Sequence, residues 1–332
     1  RMLVRYARRE AKAWARESLR DYVVTLTTPL HPDLSLDLDG LRRNVEYLLG
    51  FPRNRGIYVG SIYQEFWTLT LDERKRLAAA AIAAVAGRVP VVVGVSGNCA
   101  ADVIDLARDA QDRGADIVMI WPPTFGQRSA QGVLDFYRGV ISQLEVGVCV
   151  YASALSEIGF RLTPEMLDDL STLENVCVVK EASMSIGTYL RTLRMLGDRI
   201  VVSCPLEEYW FTGRTLLGDR YAAPVLMGSS RPLYLNTARR RLLEQFLDAA
   251  DAGDVPAASA HLDAVLALAE RLHNRYLQRG EHNVALTKAI TGMIGMAAGP
   301  VRPPITMPAA DELADARRAL SEAALLPELV TA

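Results

Sequence analysis

The sequence predicts a (β/α)8 barrel followed by a C-terminal helical region, and three observations carry that reading. Short β-branched runs alternate with helical patterns from Tyr22 to about Leu235, as in a parallel sheet with crossover helices. Eight strand candidates can be counted in that stretch. Several of them are apolar almost throughout, as expected of strands buried both in a barrel lumen and beneath helices.

The expected strands are Tyr22–Thr27, Gly56–Gly60, Val89–Val95, Ile117–Ile120, Val146–Tyr151, Val176–Lys180, Ile200–Ser203 and Ala222–Met227. Between them Leu38–Leu49, Leu71–Ala86, Ala101–Arg113 and Pro164–Leu173 read as helices. After the eighth strand Leu242–Ala252, Ala257–Arg275, Val284–Met296 and Ala309–Ala324 do the same, with Ala/Leu faces. The expected division is an N-terminal helix over residues 1–21, a barrel over 22–238 and a helical region over 239–332. An open doubly wound sheet is the competing architecture. Glycine does not settle the choice, because Gly94-Val95-Ser96-Gly97 follows a strand but no G-x-G-x-x-G is present.

Composition narrows the function classes. With 332 residues, half of them apolar, the chain can bury a large core. A formal net charge of -2 provides no basic field for a phosphate backbone, so nucleic acid is not an expected partner. No run reaches the ~20 apolar residues that span a bilayer. Met2–Leu19 is Arg-rich and amphipathic like an organelle transit peptide, but Glu10, Glu17 and Asp21 favour a plain helix packed on the domain or on a neighbouring subunit. Cys99, Cys149, Cys177 and Cys204 form no C-x-x-C pair and read as buried thiols of a cytoplasmic protein.

Of the 37 basic side chains only Lys12, Lys75, Lys180 and Lys288 are lysines. Lys180 closes the apolar run Val176-Cys177-Val178-Val179 at the C-terminal end of the sixth strand, the face on which barrels build active sites. Desolvation there depresses an amine's pKa and leaves neutral amine for attack on a ketone. The alternative is a lysine that snorkels to water or pairs with Glu181. Tyr151 ends the preceding strand and should face the same rim, where a phenol can move protons. It can equally be a core tyrosine with a satisfied hydroxyl.

These residues, with Leu26-Thr27-Thr28-Pro29-Leu30, Gly60-Ser61 followed by Glu65-Phe66-Trp67-Thr68-Leu69-Thr70 and Asp72-Glu73-Arg74, Gly114-Ala115-Asp116, and Val179-Lys180-Glu181-Ala182-Ser183, give a sequence that resembles the dihydrodipicolinate synthase and N-acetylneuraminate lyase family. The resemblance implies that Lys180 forms a Schiff base and that Tyr151 relays protons. It also implies that the segment of Gly60, Ser61, Ile62, Tyr63 and Glu65 holds the carboxylate of pyruvate or a related 2-oxo acid, and that the protein is a homo-oligomer, a tetramer built from dimers or a dimer. Ser61 and Thr124 are candidates for part of the relay. Thr124, Gly228 and Ser229 are further candidate substrate contacts.

Departures from the family pattern bear on the substrate. Gly60-Ser61-Ile62-Tyr63-Gln64-Glu65 replaces the shorter Gly-Thr-Thr-Gly-Glu. Ala152-Ser153-Ala154-Leu155-Ser156-Glu157-Ile158-Gly159 replaces the Asn-Val-Pro-Gly-Arg-Thr-Gly of the synthases, which removes the arginine for the second substrate's carboxylate. The second tyrosine of the synthase relay, expected near Thr124, is absent. Tyr63, Phe66, Trp67, Trp121, Phe125, Tyr209, Trp210 and Phe211 fall in or near segments that follow strands. They either line a mouth suited to a bulkier, less polar aldehyde or pack under loops or at a subunit interface.

No metal or other cofactor is expected. His31, His261, His273 and His282 lie outside the strand ends without metal-ligand spacing and read as surface or capping residues. Arg231 follows the eighth strand at a position where barrels bind anions, or is a surface arginine. The leading expectation is a lyase or aldolase that uses a 2-oxo acid and an aldehyde. A dehydratase of a 3-deoxy-2-oxo sugar acid by the same lysine chemistry, and a non-catalytic 2-oxo-acid-binding barrel, are the alternatives.

Overall fold

The computed structural model describes residues 4–222, 224–279 and 281–327. A short 3₁₀ turn at Arg8–Glu10 leads into α1 (Ala11–Ser18), and β1 (Asp21–Thr25) opens the sheet. In chain order there follow α2 (Leu38–Leu49), β2 (Asn54–Val59), α3 (Leu71–Val85), β3 (Val91–Gly94), α4 (Ala100–Asp112), β4 (Ile117–Ile120), α5 (Ala130–Ile141), β5 (Gly147–Ser153) and α6 (Pro164–Ser171). The barrel is completed by β6 (Val176–Ala182), α7 (Ile186–Leu196), β7 (Val201–Ser203), α8 (Glu207–Leu217) and β8 (Val225–Met227).

The strand order is β7-β6-β5-β4-β3-β2-β1-β8, with every named pairing parallel. A parallel bridge between Cys204 and Leu226 brings the two ends of the sheet together. Neighbours in sequence are neighbours in space, so no topological switch point exists and the doubly wound alternative is excluded. The fold is a (β/α)8 barrel with additional C-terminal helices, as the strand count predicted.

Helices start where the chain supplies caps. Ser129 accepts from Gly132 N at 3.0 Å to open α5, and Thr163 accepts from Met166 N at 3.2 Å with Pro164 in the first turn of α6. Strand ends differ from expectation: β5 and β6 each run two residues beyond Tyr151 and Lys180. Their ladder continues through Ala152↔Glu181 and Ser153↔Ala182, a pairing that no local signal encodes.

Contacts divide the chain into two compact units. The first holds the chain up to Val23, Arg55–Gly60 and Leu71–Gly228. Within it α1 buries Ala11 and Ala15 and packs on β6 and β7. Tyr6 donates its hydroxyl to Asp116 O and accepts from Gly147 N at 2.9 Å, while Arg5 pairs with Asp116 at 3.1 Å. The second unit holds Val24–Asn54, Ser61–Thr70 and the chain from Ser229. It contains α9 (Pro232–Leu235), α10 (Leu242–Asp251), α11 (Val255–Ala269), α12 (Arg275–Gln278), α13 (Val284–Ile294) and α14 (Ala310–Glu322), with a π-helical turn at Glu270–Asn274 between α11 and α12.

All four cysteines are free; Cys149, Cys177 and Cys204 are buried as expected. Cys99 is exposed, which corrects its reading as a buried thiol. It stands at the N-cap of α4, outside any strand.

Candidate active site

Tyr151 on β5 and Lys180 on β6, each two residues short of its strand's end, are brought together by the sheet. Tyr151 and Lys180 are register partners, so both side chains leave the sheet on the same face. The Lys180 amine lies 4.3 Å from the centroid of the Tyr151 ring. It donates to Gly228 O at 3.1 Å. Lys180 is only 4% exposed, so the snorkelling alternative does not apply.

Burial pushes the Lys180 amine down to about 8, partly countered by Cys149 and Cys204. That leaves an appreciable neutral fraction near neutral pH, the form that attacks a carbonyl carbon. The pairing of Lys180 with Glu181 considered from sequence is replaced by a different arrangement. Glu181 accepts from Ser183 N at 3.1 Å, and burial raises its carboxyl to about 7.

Gly228 is required by this geometry. Its φ is +87°, and a Cβ there would stand 2.5 Å from the Lys180 amine. Gly60, after β2, has a φ of +82°, and a Cβ would meet Gly94 O at 2.7 Å. Both strand ends approach too closely for a side chain.

Tyr58 on β2 is a residue the sequence reading passed over. It is fully buried, and its ring centroid lies 5.8 Å from the Lys180 amine. Trp121, after β4, packs against Tyr151 with ring centroids 5.2 Å apart and the planes tilted by 38°. The available signal was period-two alternation, which puts Gly56, Tyr58 and Gly60 on one face of the strand.

Thr124 is half-buried, and its backbone N–H and hydroxyl both reach Asn98 Oδ1, at 2.6 and 3.1 Å. Phe125 N donates to the same oxygen at 3.1 Å, so Asn98 fixes the segment after β4. Arg128 donates to Pro123 O at 2.8 Å and Ile158 O at 2.5 Å, tying that segment to the one after β5.

The remaining candidates belong to the second unit. Ser61 shares a buried hydrogen bond with Thr25 on β1, and its oxygen accepts from Tyr63 N at 3.1 Å. Thr28 donates to Gln64 O at 2.6 Å, which holds the longer segment against the end of β1. Ile62 is buried within it. Glu65 adopts a left-handed conformation at φ +57° and spends its carboxylate on Lys288 at 2.8 Å and Arg302 N at 3.3 Å. Ser229 accepts from Arg231 N at 3.1 Å.

Two readings of polar residues are corrected here. Arg231 has no exposed surface and is not a surface arginine: it donates to His273 Nδ1 at 3.3 Å and to Asn274 Oδ1 at 3.2 Å. His273 is buried rather than superficial, and its Nε2 lies 3.4 Å from the Tyr63 hydroxyl. Desolvation, then Arg231, holds the imidazole well below its ordinary pKa and hence neutral. The π-helical turn that carries His273 inward has no sequence signature. Among the described residues no group of three His, Cys, Asp or Glu side chains is placed to hold a metal ion. Among them also, no helix is long and apolar enough to cross a membrane.

Barrel topology and a desolvated lysine on β6 define the class: a (β/α)8 protein with a buried amine beside a phenol. The model of the dihydrodipicolinate synthetase family matches residues 18–323. The chain belongs to that family. It is 29% identical to the 4-hydroxy-tetrahydrodipicolinate synthase of Methanothrix thermoacetophila over 292 residues, covering 86% of this chain and 90% of that one. It is 30% identical to the enzyme of the same name from Clostridium perfringens over 179 residues, 54% of this chain and 60% of that one. Among solved structures it is similar to YagE, a prophage protein of the dihydrodipicolinic acid synthase family from E. coli K12 in complex with pyruvate. That match has a TM-score of 0.81 at 21% identity and covers 92% of this chain and 99% of the other.

Proposed function

We propose that this chain is a class I lyase that makes or cleaves a carbon–carbon bond of a 2-oxo acid, pyruvate first among them, through a Schiff base on Lys180. Family membership supports pyruvate-dependent lyase chemistry at the level of the family. The observation that carries the reading to this chain is the buried Lys180 amine lying over the Tyr151 ring. In the proposed reaction the neutral amine adds to the ketone carbon. The carbinolamine loses its oxygen as water, and the resulting iminium accepts the electron pair released when the bond beyond the adjacent carbon breaks. Tyr151 moves the protons these steps require.

The aldehyde partner is proposed to be bulkier and less polar than aspartate semialdehyde. Loss of the synthase arginine after β5 supports this, as does the ring of Phe125, 84% exposed in the segment after β4. The Thr124 hydroxyl, beside Asn98, is a candidate contact for such a substrate. No metal or other cofactor enters this proposal.

Intact-protein mass spectrometry after borohydride treatment with pyruvate tests it. The expected result is a covalent adduct that disappears in Lys180→Ala. Failure to trap pyruvate or any larger 2-oxo acid would turn the reading to a binding barrel without covalent chemistry. Product analysis on a panel of aldehydes and deoxy sugar acids then separates aldol cleavage from dehydration.

A further inference from the structure

At the end of β3 side chains take over from the backbone ladder. The strand pairs with β4 as far as Gly94↔Met119, and Val95 N donates to Met119 O at 3.0 Å. The carbonyls of Gly94 and Ser96 accept from Arg74 of α3, at 3.3 and 2.8 Å. Trp121 N, from the segment after β4, donates to the Ser96 hydroxyl oxygen at 3.1 Å. Ser96 and Trp121 are both buried, and the Trp121 ring packs against Tyr151 with centroids 5.2 Å apart. The Tyr151 ring centroid in turn lies 4.3 Å from the Lys180 amine. We propose that Ser96 and Trp121 are positioning residues of the reaction: the serine hydroxyl fixes the backbone of Trp121, and the indole fixes the phenol of Tyr151 beside the amine. This rests on the Schiff-base reading above and deepens it.

The chemistry sets a demand on where that phenol stands. As the carbinolamine collapses, Tyr151 gives its proton to the departing hydroxyl, which leaves water, an iminium cation and a phenolate. The phenolate then takes a proton from the methyl carbon beside the iminium. The C–H electron pair becomes the double bond of the enamine, the C=N pair moves to nitrogen, and the phenol is restored. One oxygen must therefore come within hydrogen-bond reach of two different atoms in turn. A tyrosine side chain turns about two torsions, and a buried ring packed against it narrows that freedom. Ser96 acts through the same contact. A buried N–H that loses its acceptor is costly, and a shift of the segment towards another acceptor moves the indole with it.

The test uses three single variants and one double. Ser96→Ala removes the acceptor, Ser96→Thr keeps a hydroxyl, and Trp121→Leu removes the indole. Exchange of the methyl hydrogens of pyruvate for deuterium, followed by NMR, reports the proton steps, and borohydride trapping of pyruvate reports the Schiff base. At saturating pyruvate, exchange should slow about fivefold in Ser96→Ala and about tenfold in Trp121→Leu, with half-saturation within about twofold of wild type. Ser96→Thr should exchange at close to the wild-type rate. The double variant Ser96→Ala, Trp121→Leu should be no slower than Trp121→Leu alone, because the serine acts through the indole.

Wild-type exchange rates in Ser96→Ala and Trp121→Leu, with or without a lower melting temperature, would overturn the proposal and leave Schiff-base chemistry intact. So would a Ser96→Thr variant as slow as Ser96→Ala, since the hydroxyl would then have no part in the effect. A wild-type protein that traps no 2-oxo acid would overturn both readings together. Should Trp121→Leu not fold, the two serine variants decide the question.

Discussion

The Lys180 amine is buried away from water, and the consequence is measurable in pH. Its amine titrates near 10.5 in the unfolded chain and near 8 in the folded protein. Between those values the unfolded chain holds a proton that the folded one has released, so this group makes stability rise with pH across that window. Below about 8 the full cost of burying the ammonium is present. The rate of adduct formation should therefore climb with pH and level off near 8, and a borohydride-trapping profile still climbing towards 10.5 would show a solvated amine. Glu181 behaves in the opposite sense. Its carboxyl moves from 4.5 to about 7, so the folded state keeps a proton the unfolded chain has lost, and stability falls as pH rises through that interval. Glu181→Gln should remove this slope and stabilise the protein by roughly 1–3 kcal/mol above pH 7, as read by urea unfolding on both sides of the window. At Gly228 a methyl group would displace the amine itself. Gly228→Ala should cost roughly 1–3 kcal/mol in thermal unfolding and abolish adduct formation, whereas an unchanged adduct would show that the lysine reaches substrate along another path.

At the scale of elements, the segment after β2 is held by charge buried inside its own unit. Glu65 and Lys288 are both essentially without solvent and replace it for each other at 2.8 Å, joined by Arg302 N on Glu65 and Pro300 O on Lys288. Removing one partner strands the other. Glu65→Gln should destabilise by about 3–5 kcal/mol, and combining it with Lys288→Met should recover a substantial part of that loss, as measured by chemical denaturation. An equal loss in the single and double variants would mean that the pair contributes nothing beyond packing. The same elements show how a sequence expectation fails. Period-two and period-3.6 patterns placed α2 and β4 with the observed ends, but they stopped β5 and β6 at Tyr151 and Lys180. A strand end is fixed by the neighbour it pairs with, here Ala152 with Glu181 and Ser153 with Ala182.

For the whole molecule, the resemblance implies assembly into a dimer or a tetramer. Light scattering coupled to size exclusion should return two or four times the chain mass of 36.4 kDa, and a monomer at micromolar concentration would overturn that expectation. By itself the sequence determined the barrel, its strand count, the C-terminal helices and the pair Lys180 and Tyr151, because alternation, chain order and strand-end placement are local properties that backbone geometry reads residue by residue. What only the tertiary structure decided depends on elements far apart in the chain. Tyr58 reaches Lys180 from another strand of the closed sheet, Arg231 goes inward because His273 and Asn274 on a π-helical turn receive it, and Thr124 is occupied by Asn98. Burial and partnership are properties of the closed sheet and the packed helices, and a polar side chain has the same sequence signature whether water or another residue satisfies it.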